Sequence, residues 1–268
     1  LDKFAGLDNF CWPDPIESEK TPDGRYKLAQ LVRSNRALDD VCRAYNLPCI
    51  SGKDSMKNDA KLDGQKISIP PTLLYTVLGD HQDVRKAVSS DFKDCGDTIF
   101  LLGETHQELG ASELSYMLAE ETGGGIGNDV PQIDTTRNLA LYRALTSAMD
   151  EGLVRSAHDC SDGGLAAAIA ECCFGCDGGT TITLDGLEGV DNWAALFGES
   201  LGRIVVTVTP ENVQRFGNIM GNHSVTKLGQ VGDKETLEFT RDGETVLSAN
   251  LAALLASWKG TLHMGGDV

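Results

Sequence analysis

Two short segments combine glycine, a hydroxyl and a charged group, the set of side chains that handles phosphate oxygens. Ser51-Gly52-Lys53-Asp54-Ser55 offers an uncovered backbone N–H, an ammonium and two hydroxyls. It is not a P-loop. Leu47 stands where the first glycine of G-x-x-x-x-G-K-[ST] belongs, and Asp54 takes the Ser/Thr place. On spacing alone, a polar turn accounts for it as well. The second segment is His158-Asp159-Cys160-Ser161-Asp162-Gly163-Gly164, set between a short strand-like run and an Ala-rich run. Its polar groups collect at a helix N-terminus, where Ser161 or Asp162 can cap and the glycines let an anion approach the backbone. Asp159 is a hard oxygen ligand of the kind Mg²⁺ takes alongside phosphates. The plainer alternative is a capped helix with a satisfied histidine.

Two further segments carry a weaker signal. Gly123-Gly124-Gly125-Ile126-Gly127 follows a helical pattern rather than a strand, so it lacks the dinucleotide-binding context and reads as a loop. Glu199-Ser200, within Leu196–Arg203, offers polar contacts or a turn. No Ser-His-Asp or Cys-His arrangement is identifiable among five scattered histidines.

The elements that must position these groups follow from periodicity and punctuation. Residues 1–24 read as irregular, broken by Pro13, Pro15, Pro22 and Gly24. A helix is predicted from Arg25 to Tyr45, with Leu28, Leu31, Val32, Leu38, Val41, Cys42 and Tyr45 on one face, stopped by Asn46-Leu47-Pro48. Ser51–Met56 reads as a loop, Pro71–Leu78 as a buried strand, and Val84–Val88 as a short helix inside a connector. Beyond it, strands are predicted at Thr98–Leu102, Val154–Ala157, Thr180–Leu184, Arg203–Val208 and Lys227–Val231. Helices are predicted at Ser112–Glu121, Thr136–Glu151, Gly163–Phe174, Pro210–Met220 and Ser248–Ser257. Asp242-Gly243 between two alternating runs predicts a hairpin turn. The fold class is α+β: a partial α/β domain over 1–88, then a complete α/β domain over 89–268.

Composition narrows the partners. The 268 residues are 41% hydrophobic and 24% charged, enough to bury a sizeable core. No apolar run reaches the roughly 18 residues of a membrane helix. The net charge of −17 argues against nucleic acid and anionic membranes as partners. Phosphates must then be held locally, by backbone N–H groups, a metal or a few placed cations. The chain starts Leu1-Asp2-Lys3-Phe4, which is neither a signal peptide nor a starting Met, and reads as a cut inside a longer protein. Eight irregularly spaced cysteines fit free thiols in a reducing cytoplasm. Cys172 and Cys173 end an apolar helix, so burial explains them better than a metal or redox role for the lone C-x-x-C at Cys173–Cys176.

Taken together, several segments resemble the superfamily of aminoimidazole ribonucleotide synthetase, selenophosphate synthetase and thiamine-phosphate kinase. They look most like its formylglycinamidine ribonucleotide synthase branch. The matching text is Asp8-Asn9-Phe10, then Ile50–Asp59, Ile69–Gly79, Gly96–Thr105, His158–Glu171 and Leu196–Val208, in the family's order over nearly the whole chain. The resemblance implies the second half of a duplicated synthetase. Residues 1–88 would be the C-terminal part of an N-terminal-type, ATP-binding, barrel-forming domain, and 89–268 a C-terminal-type α/β domain. The implied activity is that of a cytoplasmic carbon–nitrogen ligase of purine biosynthesis. ATP phosphorylates the amide oxygen of formylglycinamide ribonucleotide, and glutamine-derived ammonia displaces phosphate.

Carried over by position, Asp8, Gly52, Lys53 and Ser161 fall to ATP, Ser55 to substrate, and Asp159 to Mg²⁺. Lys53 departs from the form of the family that has an Asn metal ligand there. The family's catalytic histidine lies in the other half, so none is assigned here, and Glu199 and Ser200 receive no role. The partners implied are the first half of the synthetase and a glutaminase. A piece containing only this half is expected to dimerise and to be inactive alone. The alternatives are a standalone relative such as aminoimidazole ribonucleotide synthetase, and a non-catalytic half that only holds nucleotide.

Overall fold

The computed structural model describes residues 3–81, 83–176 and 178–260. The chain divides into two units, Leu1–Val84 and Arg85–Val268.

The first unit is built on β1 (Phe4–Cys11), α1 (Gly24–Tyr45), β2 (Cys49–Ser55), the hairpin β3 (Asp59–Leu62) and β4 (Gln65–Ser68), and β5 (Thr72–Gly79). Its sheet has the order β2-β1-β5, with β2 parallel and β5 antiparallel to β1. Parallel neighbours need a crossover, and α1 supplies it. The helix ends where Asn46 turns left-handed at φ 52° and returns its N–H to Arg43 and Cys42. Leu47 and Pro48 then lead straight into β2. Phe10 and Trp12 are buried, and the Trp12 indole N–H donates to the Lys27 carbonyl at 2.9 Å.

Three expectations fail in this unit. The strand expected at Pro71–Leu78 forms as β5, but it is mostly exposed rather than buried, because the three-stranded sheet leaves Leu74, Val77 and Leu78 uncovered. The other two concern β1 and β2. Residues 4–11 are a strand rather than irregular chain, and the Ser51–Ser55 stretch lies in a strand rather than a loop. Neither shows strong apolar alternation. Their backbone groups are satisfied by one another and by β5, so the pairing rather than the side chains makes the strands.

The second unit holds β6 (Thr98–Leu102), α2 (Glu113–Thr122), α3 (Thr135–Asp150), β7 (Val154–Asp159), α4 (Gly164–Cys173), β8 (Thr181–Thr183), α5 (Asn192–Phe197), β9 (Ile204–Val208), α6 (Val213–Met220), β10 (Val225–Gln230), β11 (Thr236–Arg241), β12 (Glu244–Asn250) and α7 (Leu251–Gly260). Its seven strands run β12-β11-β8-β10-β6-β9-β7, antiparallel throughout except for β11 beside β8. Every residue of β6 is buried. Alternate side chains serve two cores: Ile99 and Leu101 pack in one with Leu165, Ile169 and Val205, while Phe100 and Leu102 pack in the other with Leu141, Leu145, Val206 and Phe216. A sheet covered on both faces reads as continuous apolar sequence, which is why β6 and β9 were so clear.

The β11–β12 hairpin turns at Asp242 and Gly243, both with positive φ, as the Asp-Gly pair predicts. The last helix begins at Leu251 rather than Ser248, because Ser248–Asn250 extend β12 along β11. Cys172 and Cys173 are buried, in keeping with the packing role expected of them, and the described cysteines form no disulfide. No helix among the described residues is long and apolar enough to cross a membrane.

Candidate functional site

In the first unit the register of β1 on β2 sets Asp8 beside Gly52 and Asn9 beside Lys53. The Asp8 carboxylate lies across the Gly52 backbone so closely that a Cβ there would come within 2.6 Å of Asp8 Oδ1. Glycine at position 52 therefore serves a close approach, and the approaching group is a carboxylate. Adjacent residues of a strand face opposite sides of the sheet, so Lys53 and Ser55 project from the face opposite Gly52. There the Lys53 ammonium donates to the Ser55 hydroxyl. The segment is thus split: Gly52 meets Asp8 of β1 on one face, while Lys53 and Ser55 lie on the other.

In the second unit the segment after β7 meets the segment before β9. His158 is occupied on both ring nitrogens, Nδ1 at 2.7 Å from the Asp159 carbonyl and Nε2 at 2.8 Å from Glu171 Oε2. The Ser161 hydroxyl donates to Asp159 Oδ2, and both side chains are exposed. Together with Glu199 and Arg203 they line an open cleft of about 490 Å³.

The start of α4 is not capped as expected. Neither the Ser161 nor the Asp162 side chain caps the helix, although the Ser161 carbonyl accepts the Gly164 N–H at 3.0 Å; the N-cap is Gly163, left-handed at φ 77°, without a side-chain cap of its own. Glu199 does the work. Its Oε1 accepts the Gly163 N–H at 3.0 Å and the Glu113 N–H at 2.9 Å, so one carboxylate oxygen neutralises the first turns of α4 and α2. Gly164 is also left-handed, and a Cβ there would lie 2.5 Å from the Gly198 carbonyl. The paired glycines let α4 start against the end of α5.

Ser200 is likewise committed: its hydroxyl accepts the His106 N–H at 3.1 Å from a fully buried position. Arg203 fastens the same turn from within. It is 1% exposed, and its guanidinium donates to the carbonyls of Ser200 and Gly198 and to the Thr105 hydroxyl. Burial pulls its pKa below the usual arginine range, with Cys160, Glu108 and Glu199 opposing. Burial in turn pushes the Cys160 thiol up to about 11 against the pull of Arg203, so Cys160 is no thiolate nucleophile at neutral pH.

Glu199, Ser200 and Arg203 are the residues whose part the sequence reading left blank. A carboxylate just after a helix that ends in Phe197-Gly198 is the only signal, and it does not say which N–H groups it meets. The described residues contain no cluster of three or more His, Cys, Asp and Glu side chains able to hold a metal. Asp159 fits a metal only as a single exposed carboxylate. That is the share protein ligands take when Mg²⁺ arrives on phosphates.

Residues 95–242 match the family model described as AIR synthase related protein, C-terminal domain. Among solved structures, the chain is similar to Thermotoga maritima PurL complexed with FGAR, at 19% identity and a TM-score of 0.65, over 93% of this chain and 39% of that one. T. maritima PurL complexed with ATP gives 17% identity and a TM-score of 0.61, over 93% and 37%. E. coli HypE, a hydrogenase maturation protein, gives 15% and 0.56, over 92% and 73%. The chain therefore spans well under half the length of the PurL chains it resembles.

Proposed function

The chain belongs to the AIR synthase related proteins through their C-terminal domain, and from that premise we propose that it is the second half of the synthetase portion of formylglycinamidine ribonucleotide synthase. In this reading residues 1–88 complete an N-terminal-type, barrel-forming domain and 89–268 form the C-terminal-type domain. The whole enzyme is a cytoplasmic ligase of purine biosynthesis, completed by a first half and a glutaminase. It uses ATP to activate the amide of formylglycinamide ribonucleotide for attack by ammonia.

The observation that carries the reading is the loop from His158 to Gly164. Within it, Asp159 and Ser161 are exposed in a 490 Å³ cleft beside the start of α4. Asp159 would hold Mg²⁺ there and Ser161 would bond the nucleotide; the metal, when bound, neutralises phosphate charge. In the first unit Asp8, Gly52 and Lys53 contact ATP and Ser55 contacts substrate. Because Gly52 and Lys53 face opposite sides of their sheet, they meet different parts of what binds there.

One feature favours a nucleotide-holding rather than a catalytic half. Glu199 and Ser200 already accept backbone N–H groups from three segments and help to fix the fold. Calorimetry with ATP and ADP, with and without Mg²⁺, tests the binding. Asp159→Asn keeps the shape but loses the charge, so Mg-nucleotide should bind about tenfold or more weakly, as losing a contact to a charged group implies. Equal affinity for wild type and variant would remove Asp159 from the metal. Ammonium-dependent amidine synthesis by this chain alone would overturn the two-half reading.

A further inference from the structure

In the first unit a second group of reactive side chains converges, away from the strand positions just assigned. Cys42 lies in the last turns of α1 and Cys49 is the first residue of β2; their Sγ atoms are 3.8 Å apart. Tyr75 of β5 reaches both, its hydroxyl 3.3 Å from Cys42 Sγ and 3.2 Å from Cys49 Sγ. The room for that hydroxyl comes from Gly6 of β1, where a Cβ would lie 1.7 Å from Tyr75 Oη. A helix end, a strand start and two further strands thus point at one spot. Cys49 is exposed and Cys42 half-buried.

A gap of 3.8 Å is van der Waals contact between sulfurs, and a disulfide needs about 2.05 Å. The turn through Asn46, Leu47 and Pro48, with the Leu47 N–H donating to the Cys42 carbonyl at 2.8 Å, ties the end of α1 to the start of β2, so the two thiols are held near one another by the backbone. The geometry points to Cys42 and Cys49 as a reversible dithiol–disulfide pair that, oxidised by a small-molecule disulfide, ties the end of α1 to the head of β2.

The chemistry is ordinary exchange. Cys49, the accessible thiol, loses its proton and attacks one sulfur of the oxidant, forming a mixed disulfide and expelling one small thiolate. The Cys42 thiolate then attacks the Cys49 sulfur and expels the second. Two thiol protons pass to the two released thiolates, the protein loses two hydrogens, and the oxidant is reduced to two small thiols. Burial pushes the Cys42 thiol up, which keeps it in reserve as the second attacker. Closure takes both sulfurs from Tyr75 and pins the strand that continues into Ser51, Gly52 and Lys53.

The test is incubation of the full chain in buffers of increasing oxidised-to-reduced glutathione ratio, then alkylation and tryptic mapping. Cleavage after Arg43 separates the two cysteines. The expected product joins the Cys42 and Cys49 peptides, with a mass lower by two hydrogens, and dithiothreitol reverses it. It forms at a lower ratio than the one that loads glutathione onto Cys95, which is exposed in the second unit. Cys42→Ser should stop the reaction at a glutathione adduct on Cys49. Hydrogen exchange of the β2 amides should be slower in the oxidised wild type than in the reduced. Glutathione that stays on Cys49 of the wild type, or β2 exchange rates equal in the two states, would overturn the proposal. Both readouts use the unmodified sequence, so they stand even if the variant folds poorly.

Discussion

The Glu199 carboxylate sits 3.0 Å from the N–H of Gly163, at the first turn of a helix that carries no capping side chain of its own. The same oxygen holds Glu113, so the bond joins the starts of α4 and α2 through a residue that belongs to neither.

Glu199→Ala should therefore cost stability in the range of a lost N-cap, about 1–2 kcal/mol. In a unit of this size that lowers the melting temperature by roughly 2–8 °C. Glu199→Gln keeps an acceptor oxygen and should lose less. Equal melting of all three proteins would show that the two N–H groups find other partners at no cost.

Asp97 gives a pH dependence. It is 3% exposed; its Oδ2 and the Arg155 Nε 3.6 Å away both lack hydrogen-bond partners among the described residues. Burial raises its carboxyl above the ordinary 3.8, with the Asp94 backbone and Arg155 opposing. A carboxyl with a raised folded pKa binds its proton more tightly when folded. Its contribution is greatest below 3.8 and falls as pH rises to the raised value, then levels. Asp97→Asn removes that fall. Urea denaturation between about pH 3 and pH 7 should show the variant gaining on the wild type across that window. Parallel curves would mean that the carboxyl titrates alike folded and unfolded.

Self-association is expected of the first unit. Ile50, Leu74, Val77 and Leu78 are more than half exposed on its three-stranded sheet, and β2 and β5 are open edges. Apolar strands with free edges seek a partner. Light scattering at about 10–100 μM, a range that populates even weak pairs, should report a dimer. A monomer throughout, with Leu74→Lys behaving identically, would count against this sheet as an interface.

How much of this could be read in advance depended on how local each cause was. The strand Thr98–Leu102 was assigned to the residue because five consecutive buried side chains leave their mark in the sequence. The Asp242-Gly243 turn likewise announces itself in two residues. The helix at Asn192–Phe197 was missed although Asp191, which caps it by accepting the Ala194 N–H at 2.8 Å, was a visible start signal. β1 and β2 were missed for a different reason: their strand character lies in pairing with each other and with β5, which no window of sequence contains. Glu199 was harder still. Its two donors lie 36 and 86 residues away, so its part in the helix starts could be learned only from the folded chain.

The place of β6 in its sheet bears on how this protein is made. Its two neighbours, β9 and β10, begin at Ile204 and Val225, both far downstream of Leu102. A ribosome adding about 5–20 residues per second needs roughly 5–20 s to travel from Leu102 to Ile204. For that interval four consecutive apolar residues, Ile99 to Leu102, have left synthesis with no strand to join. The nascent chain is therefore most exposed to misassociation before its middle is complete. Codon choice or chaperone capture acting between those positions would change the yield of folded protein without altering any contact in it.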